Sequence, residues 1–427
     1  MNGGKAAMRH ATCGGVEQVD WFWPFNPSAR MADVLRRAQF AQAYETFQAS
    51  MCMFGTPAFG ITSIENQGES LPVSVTVEVQ TPFCRLLRFG LCAGKDAVAR
   101  PRLLLCAPQA GHHAALMRTA VRSLLNESDV YVTDWIDARD IPREAGAFGL
   151  DDHVLALERF MARLGPAELD VLAVCQATVP ALAAAARLAA SPGPELRSLV
   201  LMGGPVDARC HPTAIGRAAS RVSRESFADR YTGVVPHGYA GAGRIVYPGF
   251  LQLSALASGQ PARQAGLFLD AMRGVFLGDP AAISASMAAA IDYSATVDLP
   301  AEFIADTIDV VFHRFLLPRG KWRVAGASVR PGVMRGTHLL TVEGAEDTIT
   351  GAGQTHAAHT LCRNLPPAFH EQITVADCDH YGLFSGKPWL VRVYPLLQRR
   401  MVAWRAPAPA CGRGTASPAR HSADGRS

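Results

Sequence analysis

The chain has 427 residues, 49% of them hydrophobic and 18% charged, which supplies a large core and excludes a chain that is disordered over most of its length. Its net charge of +4 comes without a long Lys/Arg run, which argues against nucleic acid as a partner. No stretch reaches the roughly 18 uninterrupted apolar residues of a transmembrane helix, and the opening MNGGKAAMRHATCGGVEQVDW lacks the apolar segment of a secretory signal, so a cytoplasmic location is expected.

Residues 1–25 read as a disordered lead-in, and 26–100 as an N-terminal helix and strand segment. Within it, 26–51 has apolar positions at helical spacing after a Pro-Ser start, and SVTVEVQTPFCRLLRFG (74–90) alternates as a strand or hairpin pair. From 101 the pattern becomes βα. RLLLCAP (102–108) is a buried strand, 114–129 an amphipathic helix, and VYVTDWID (130–137) a strand. A helix follows over 150–166, with Asp151 or Asp152 as N-cap and Gly165 after its end. LDVLAVC is the next strand, 177–190 a helix and 196–205 a strand. Alternation of this kind predicts an α/β fold, a doubly wound, mostly parallel sheet. The repeat breaks over 206–331, read as a helical cap insertion, so the core is 101–205 and 332–404. In the second part, strands at 332–347 and 371–376 alternate with helices at about 353–363 and 387–404. The tail 405–427, rich in Pro, Gly, Ser and Arg, reads as disordered.

A strand that turns sharply into a helix can push one side chain out above the sheet, provided that the positions two before and two after it are small. Ala173-Val174-Cys175-Gln176-Ala177 fits this nucleophile elbow, with alanines for the usual glycines and cysteine for serine, and no G-x-S-x-G occurs elsewhere. The following helix, with Pro180 in its first turn, would aim its positive end at the sulfur. The bland alternative is a small inert core residue, one of ten scattered cysteines without a CxxC pair, which argues for free thiols and against a metal site. The partners decide. On such a sheet the order is nucleophile, acid, histidine. Asp347 follows THLLTVEG, and His380 follows EQITVADCD, both at strand ends. Glu346 is a rival acid, Asp377 and Asp379 read as solvated neighbours, and Asp134 and Asp137 as structural. For an oxyanion hole, the backbone N–H of Gln176 would be joined by one from the loop APQAGHHAALMR, with Ala110 and Gly111 as candidates and His112 or His113 opening the next helix.

These segments, with DVYVTDWIDAR, AVCQATVPALAA, VYPGFLQLS, LLTVEGAEDTITGAGQT and HYGLFSGKPW, resemble the intracellular poly(3-hydroxybutyrate) depolymerases of the cysteine-dependent type, from about residue 80 to 400. The resemblance implies an α/β-hydrolase-like fold and a triad of Cys175 as nucleophile, Asp347 as acid and His380 as base. It implies hydrolysis of the ester bonds of polyhydroxybutyrate in cytoplasmic granules, releasing 3-hydroxybutyrate units or oligomers, with no cofactor beyond coenzyme A as an alternative acyl acceptor. Candidate substrate contacts are His112, His113, Tyr247 and Phe250, the last two in a granule-facing entrance. The chain departs from the family at Ala177, where a proline is expected, at Glu346, where an apolar residue is expected, and at Thr348, where a second acid is expected. A polyhydroxyalkanoate synthase-like acyltransferase and a catalytically silent granule-binding protein are the alternatives.

Overall fold

The computed structural model describes residues 42–46, 57–66, 68–92, 99–259, 266, 269, 272–273 and 275–406. Of the helix expected over 26–51, residues 42–46 are helical, and the rest lies outside the described residues, as do the lead-in 1–25 and residues 407–427 of the tail.

Strands β1 (Ser63–Asn66), β2 (Glu69–Gln80) and β3 (Cys84–Leu91) form the antiparallel edge of a nine-stranded sheet, with the expected hairpin between β2 and β3. Strands β4 (Arg102–Cys106), β5 (Asp129–Trp135), β6 (Leu169–Val174) and β7 (Ser198–Met202) follow. β4 runs parallel to β5 on one side and to β6 on the other, and β6 is parallel to β7. These strands are apolar on both faces because both are covered: every residue of β5, β6 and β7 is buried. Helices α1 (Arg118–Leu124), α2 (Leu150–Leu164) and α3 (Thr178–Ala190) connect them. On one face, Val154, Leu157, Phe160 and Met161 of α2 share a core cluster with Ala181 to Ala186 of α3. The alanine run gives α3 a small, smooth side that needs no rotamer ordering.

The start of α2 differs from expectation. Gly149 is the N-cap, and Asp152, three residues on, accepts the Gly149 N–H at 2.8 Å, while Asp151 accepts the Trp322 indole N–H at 3.2 Å. The carboxylates act from inside the first turn rather than before it.

Between β7 and the rest of the core, helices α4 (Ala214–Ser220), α5 (Arg224–Tyr231), α6 (Gly249–Gly259), α7 (Pro280–Ser294) and α8 (Ala301–Thr307) predominate. The segment is not wholly helical. Strands β8 (Gly233–Val234), β9 (Ile245–Tyr247) and β10 (Leu299–Pro300) make a small antiparallel sheet, and β11 (Arg323–Val324) pairs with β12 (Ala327–Ser328). These strands are only two or three residues long, below what alternation in a sequence can signal.

Strands β13 (His338–Gly344) and β14 (His370–Val375) complete the sheet, in the order β1-β2-β3-β5-β4-β6-β7-β13-β14. The helix expected over 353–363 contracts to α9 (Ala358–Leu361). Gly353 has φ +81°, and the buried Glu343 carboxylate gathers the N–H groups of Gly353, Thr355 and His356 at 2.7 to 2.9 Å, so the chain enters in turns. The last helix, α10 (Tyr394–Arg405), follows a wide turn at Trp389–Val393, next to Pro395, which has no N–H to donate. With Leu397 and Met401 it covers the second face of the sheet beside Val121 and Leu124 of α1. Among the described residues no helix is long and apolar enough to cross a membrane.

Candidate active site

The strand order reverses at β4. From there the chain proceeds to β5 on one side and, through β6, to β14 on the other, which opens a crevice above the carboxyl ends of β4 and β6. The sequence candidates meet around this crevice.

β6 ends in extended geometry at Val174, and Cys175 then takes φ +54°, in the left-handed region that a residue with a β-carbon enters only at a cost of about 1–3 kcal/mol. The turn is held by the Thr178 hydroxyl, which donates to the Cys175 carbonyl at 2.8 Å. Ala173 and Ala177 are fully buried, so the small-residue requirement on either side of the elbow is real. Cys175 itself is partly accessible.

Two glycines that sequence reasoning gave no role close the site from below. Gly203 and Gly204 follow β7. A β-carbon on Gly204 would lie 1.7 Å from Thr178 Oγ1 and 2.4 Å from the Cys175 carbonyl oxygen. At Gly203, with φ +55°, it would lie 2.7 Å from Leu383 and 3.4 Å from both Asp347 Oδ2 and His380 Cε1. The pair in LMGGP was the available signal. Thr350 and Thr355 fasten it: Thr350 Oγ1 donates to the Gly203 carbonyl at 2.8 Å, and Gly204 N donates to Thr355 Oγ1 at 2.9 Å.

Asp347 lies just past β13. Its Oδ1 accepts the N–H groups of Ile349 and Thr350, both at 2.8 Å, and its Oδ2 accepts His380 Nδ1–H at 2.7 Å. These side chains are 2% and 3% exposed, respectively, which shields the pair from water. Glu346, the rival acid, is exposed. The His380 ring also lies within hydrogen-bonding reach of the Cys175 thiol. Burial alone would push the imidazole down, yet Cys175 and Asp347 together hold it well above the ordinary histidine value. Asp379 is more than a solvated neighbour: its Oδ1 accepts Gly382 N–H at 2.7 Å and shapes the turn that carries His380. Asp377 is exposed and paired with Arg392 at 3.1 Å.

The loop after β4 reaches the elbow directly, since Gln109 N–H donates to the Gln176 side-chain oxygen at 3.1 Å. The backbone at Ala110 and Gly111 comes next. Gly111 has φ +98°, and a β-carbon there would lie 2.1 Å from Gln252 Oε1. Gln252, a residue the sequence did not single out, also donates to the carbonyls of Tyr247 and Val297, both at 3.0 Å, and Val297 N–H donates to the Gly111 carbonyl at 2.8 Å. His112 pairs with Thr296 in an isolated bridge and packs its ring 5.7 Å from Tyr293, which in turn lies 5.7 Å from Tyr381, beside His380. His113 is half-buried, and burial first, then the charges of Arg139 and Arg85, push its imidazole down to about 4. Tyr247 meets Gln252 through its carbonyl, and Phe250 lies two residues before Gln252 in the chain. The Tyr247 ring packs on Phe227 at 5.2 Å, with its hydroxyl pushed up to about 12 by burial, and Phe250 is half-buried in the first turn of α6. Tyr247 therefore reaches the loop through Gln252. Asp134, paired with Arg85, and Asp137, which accepts the N–H groups of Arg139 and Asp298, have structural partners.

Residues 203–404 match the family model described as PHB de-polymerase C-terminus. The family resemblance seen in the sequence holds over this stretch, which carries Asp347 and His380 and begins beyond Cys175. No curated protein matches the chain. Among solved structures it is similar to a candidate lipase of Acinetobacter baumannii AYE, at 13% identity and a TM-score of 0.44 over 78% of this chain and 92% of that one. A thermophilic esterase of Thermogutta terrifontis matches at 12% identity and a TM-score of 0.40 over 79% and 100%. An alpha/beta hydrolase fold protein of Nakamurella multipartita matches at 14% identity and a TM-score of 0.40 over 80% and 98%.

Proposed function

We propose that the chain is an ester hydrolase that degrades polyhydroxybutyrate through Cys175, His380 and Asp347. The observation that carries this reading is the buried 2.7 Å hydrogen bond between His380 and Asp347, with the other side of the ring at a cysteine held in a left-handed turn. Nδ1 of His380 is committed to Asp347, so Nε2 is the nitrogen for proton transfer. The Cys175 proton is transferred to Nε2 before attack, which matches an imidazole held in its charged form by Cys175 and Asp347, and the sulfur then bonds to the ester carbonyl carbon. The oxyanion that forms is held by the N–H of Gln176 and by one from Ala110 or Gly111. When the tetrahedral adduct collapses, the carbon–oxygen ester bond breaks, and the departing alkoxide takes the proton from His380. Water then attacks the thioester with His380 as base, which releases the 3-hydroxyacyl acid and restores the thiol. Coenzyme A thiol in place of water would give the acyl thioester by the same steps.

His112, His113, Tyr247 and Phe250 are read as the substrate-facing wall, and the polymer or its granule surface in the cytoplasm as the partner. The description of the matched family supports the polyester as substrate. The decisive experiment is release of soluble 3-hydroxybutyrate from amorphous polymer by Cys175→Ala. The variant is expected to lose at least about 1,000-fold in rate, and undiminished release would overturn the assignment. Running the wild type with and without coenzyme A identifies the acceptor, and incubation with 3-hydroxybutyryl-coenzyme A tests for polymer synthesis.

A further inference from the structure

The sheet has a second feature at its opposite rim. Arg102 opens β4, Asp129 opens β5 and Arg197 immediately precedes β7, so these residues lie at the amino ends of the parallel strands, whereas Cys175 follows the carboxyl end of β6. At this rim a cavity of about 610 Å³ is lined by Arg88, Arg100, Arg102, Arg197 and Arg405, with Tyr131 in its wall. It is separated from the elbow by the length of β6, about 20 Å for six residues.

The charges in this cavity do not balance. Asp129 is shared by Arg88 at 2.6 Å and Arg100 at 3.3 Å, and Asp170, 1% exposed, is shared by Arg197 at 3.0 Å and Arg405 at 2.7 Å. Arg102 has Glu168 at 3.0 Å, but that carboxylate is 76% exposed, so water competes for it. Arg88 also lies 3.9 Å from Glu78, so five guanidinium groups meet four carboxylates, an excess of one positive charge in a partly enclosed space. Arg100 adds a specific vacancy in the hydrogen bonding. Its Nε is buried and, among the described residues, has no hydrogen-bond acceptor, since Asp129 Oδ1 lies within ion-pair distance but outside hydrogen-bond geometry. A network built only for stability would be expected to neutralise its charges and use its buried donors.

We propose that this cavity binds a phosphate-bearing small molecule of nucleotide size, at a site independent of the ester-cleaving one. Guanidinium forks match phosphate oxygens in pairs. The volume lies within the range of small-molecule pockets. A ligand phosphate would neutralise that excess charge. Arg88 and Arg102 carry the recognition, because their side chains are 43% and 36% exposed and reachable from solvent, whereas Arg197 and Arg405 are held on the buried Asp170.

The test is calorimetric titration of the full chain with ADP, inorganic pyrophosphate and adenosine. ADP and pyrophosphate are expected to bind and adenosine not to. Arg88→Gln and Arg102→Gln, both at accessible side chains, should each weaken ADP by about tenfold, and raised salt should weaken it in the wild type. Pyrophosphate binding as well as ADP assigns the recognition to phosphate alone, and tighter ADP assigns a further part to the nucleoside. Absence of binding by both anions at millimolar concentration overturns the proposal. So does adenosine binding as tightly as ADP, or affinity for ADP unchanged in both arginine variants.

Discussion

A β-carbon on Gly204 would fall inside the van der Waals shell of the Cys175 carbonyl, at 2.4 Å, and of Thr178 Oγ1, at 1.7 Å. Neither atom is the free end of a flexible side chain. One is backbone, and the other is held by its own hydrogen bond to that carbonyl. Gly204→Ala is therefore expected to cost about 1–3 kcal/mol of stability, as overpacking does, and to displace the elbow, so that turnover falls further than the melting temperature accounts for. Parallel thermal melts and ester-hydrolysis rates would check this, and an active, wild-type-like Gly204→Ala would show that the elbow does not need the close approach. At His380, Asp347 is one of the groups that hold the imidazolium well above the ordinary value. Asp347→Asn removes that support, so the ring should lose its proton at lower pH. The alkaline limb of kcat/KM, where the acid for the leaving alkoxide disappears, should move to lower pH as kcat falls. A limb that stays in place while kcat falls would mean that Asp347 only positions the ring.

Elements differ in how much of their role the sequence carries. β4 to β7 are legible because both faces are covered and the strands are therefore apolar throughout, and Cys175, Asp347 and His380 are legible because each stands at a strand end in an order that the fold constrains. The braces are not legible, since their function lies in contacts with distant parts of the chain. Nothing local in YPGFLQLS distinguishes Gln252, yet it joins β9, the Val297 carbonyl and Gly111. In the same way, the true cap of α2 and the shortened α9 depend on Asp152 and Glu343 reaching backbone N–H groups rather than on periodicity. Gln252→Leu leaves the buried Val297 carbonyl and the part-buried Tyr247 carbonyl without this donor, a loss of about 1–3 kcal/mol. Under the proposed mechanism it should lower kcat about tenfold through a looser oxyanion loop, with KM little changed. Steady-state kinetics on a soluble short-chain ester would show this, and a pure KM effect would instead place Gln252 in substrate binding.

At the scale of the whole molecule, imidazoles pushed down by burial contribute to the response to acid. His153 is fully buried on α2 among Trp135, at 4.1 Å, and Phe303, at 5.4 Å, and among the described residues neither of its ring nitrogens has a hydrogen-bond partner. Burial pushes it down to about 3, and His359 is likewise pushed to about 4 by burial and then by His370 and His356. An imidazole with a depressed folded value binds its proton more readily in the unfolded chain. Stability is therefore unaffected above the ordinary value near 6.5 and falls as pH drops from there towards the folded value. For His153 the loss amounts to about 3 kcal/mol at pH 4. His153→Phe keeps an aromatic ring in the pocket and removes the titration. Whatever it costs at pH 7, the difference in unfolding free energy between variant and wild type should shift by about 3 kcal/mol in the variant's favour by pH 4. Denaturant melts of both proteins across that interval measure the shift directly, and a difference that stays constant with pH would mean that His153 already exchanges its proton in the folded state.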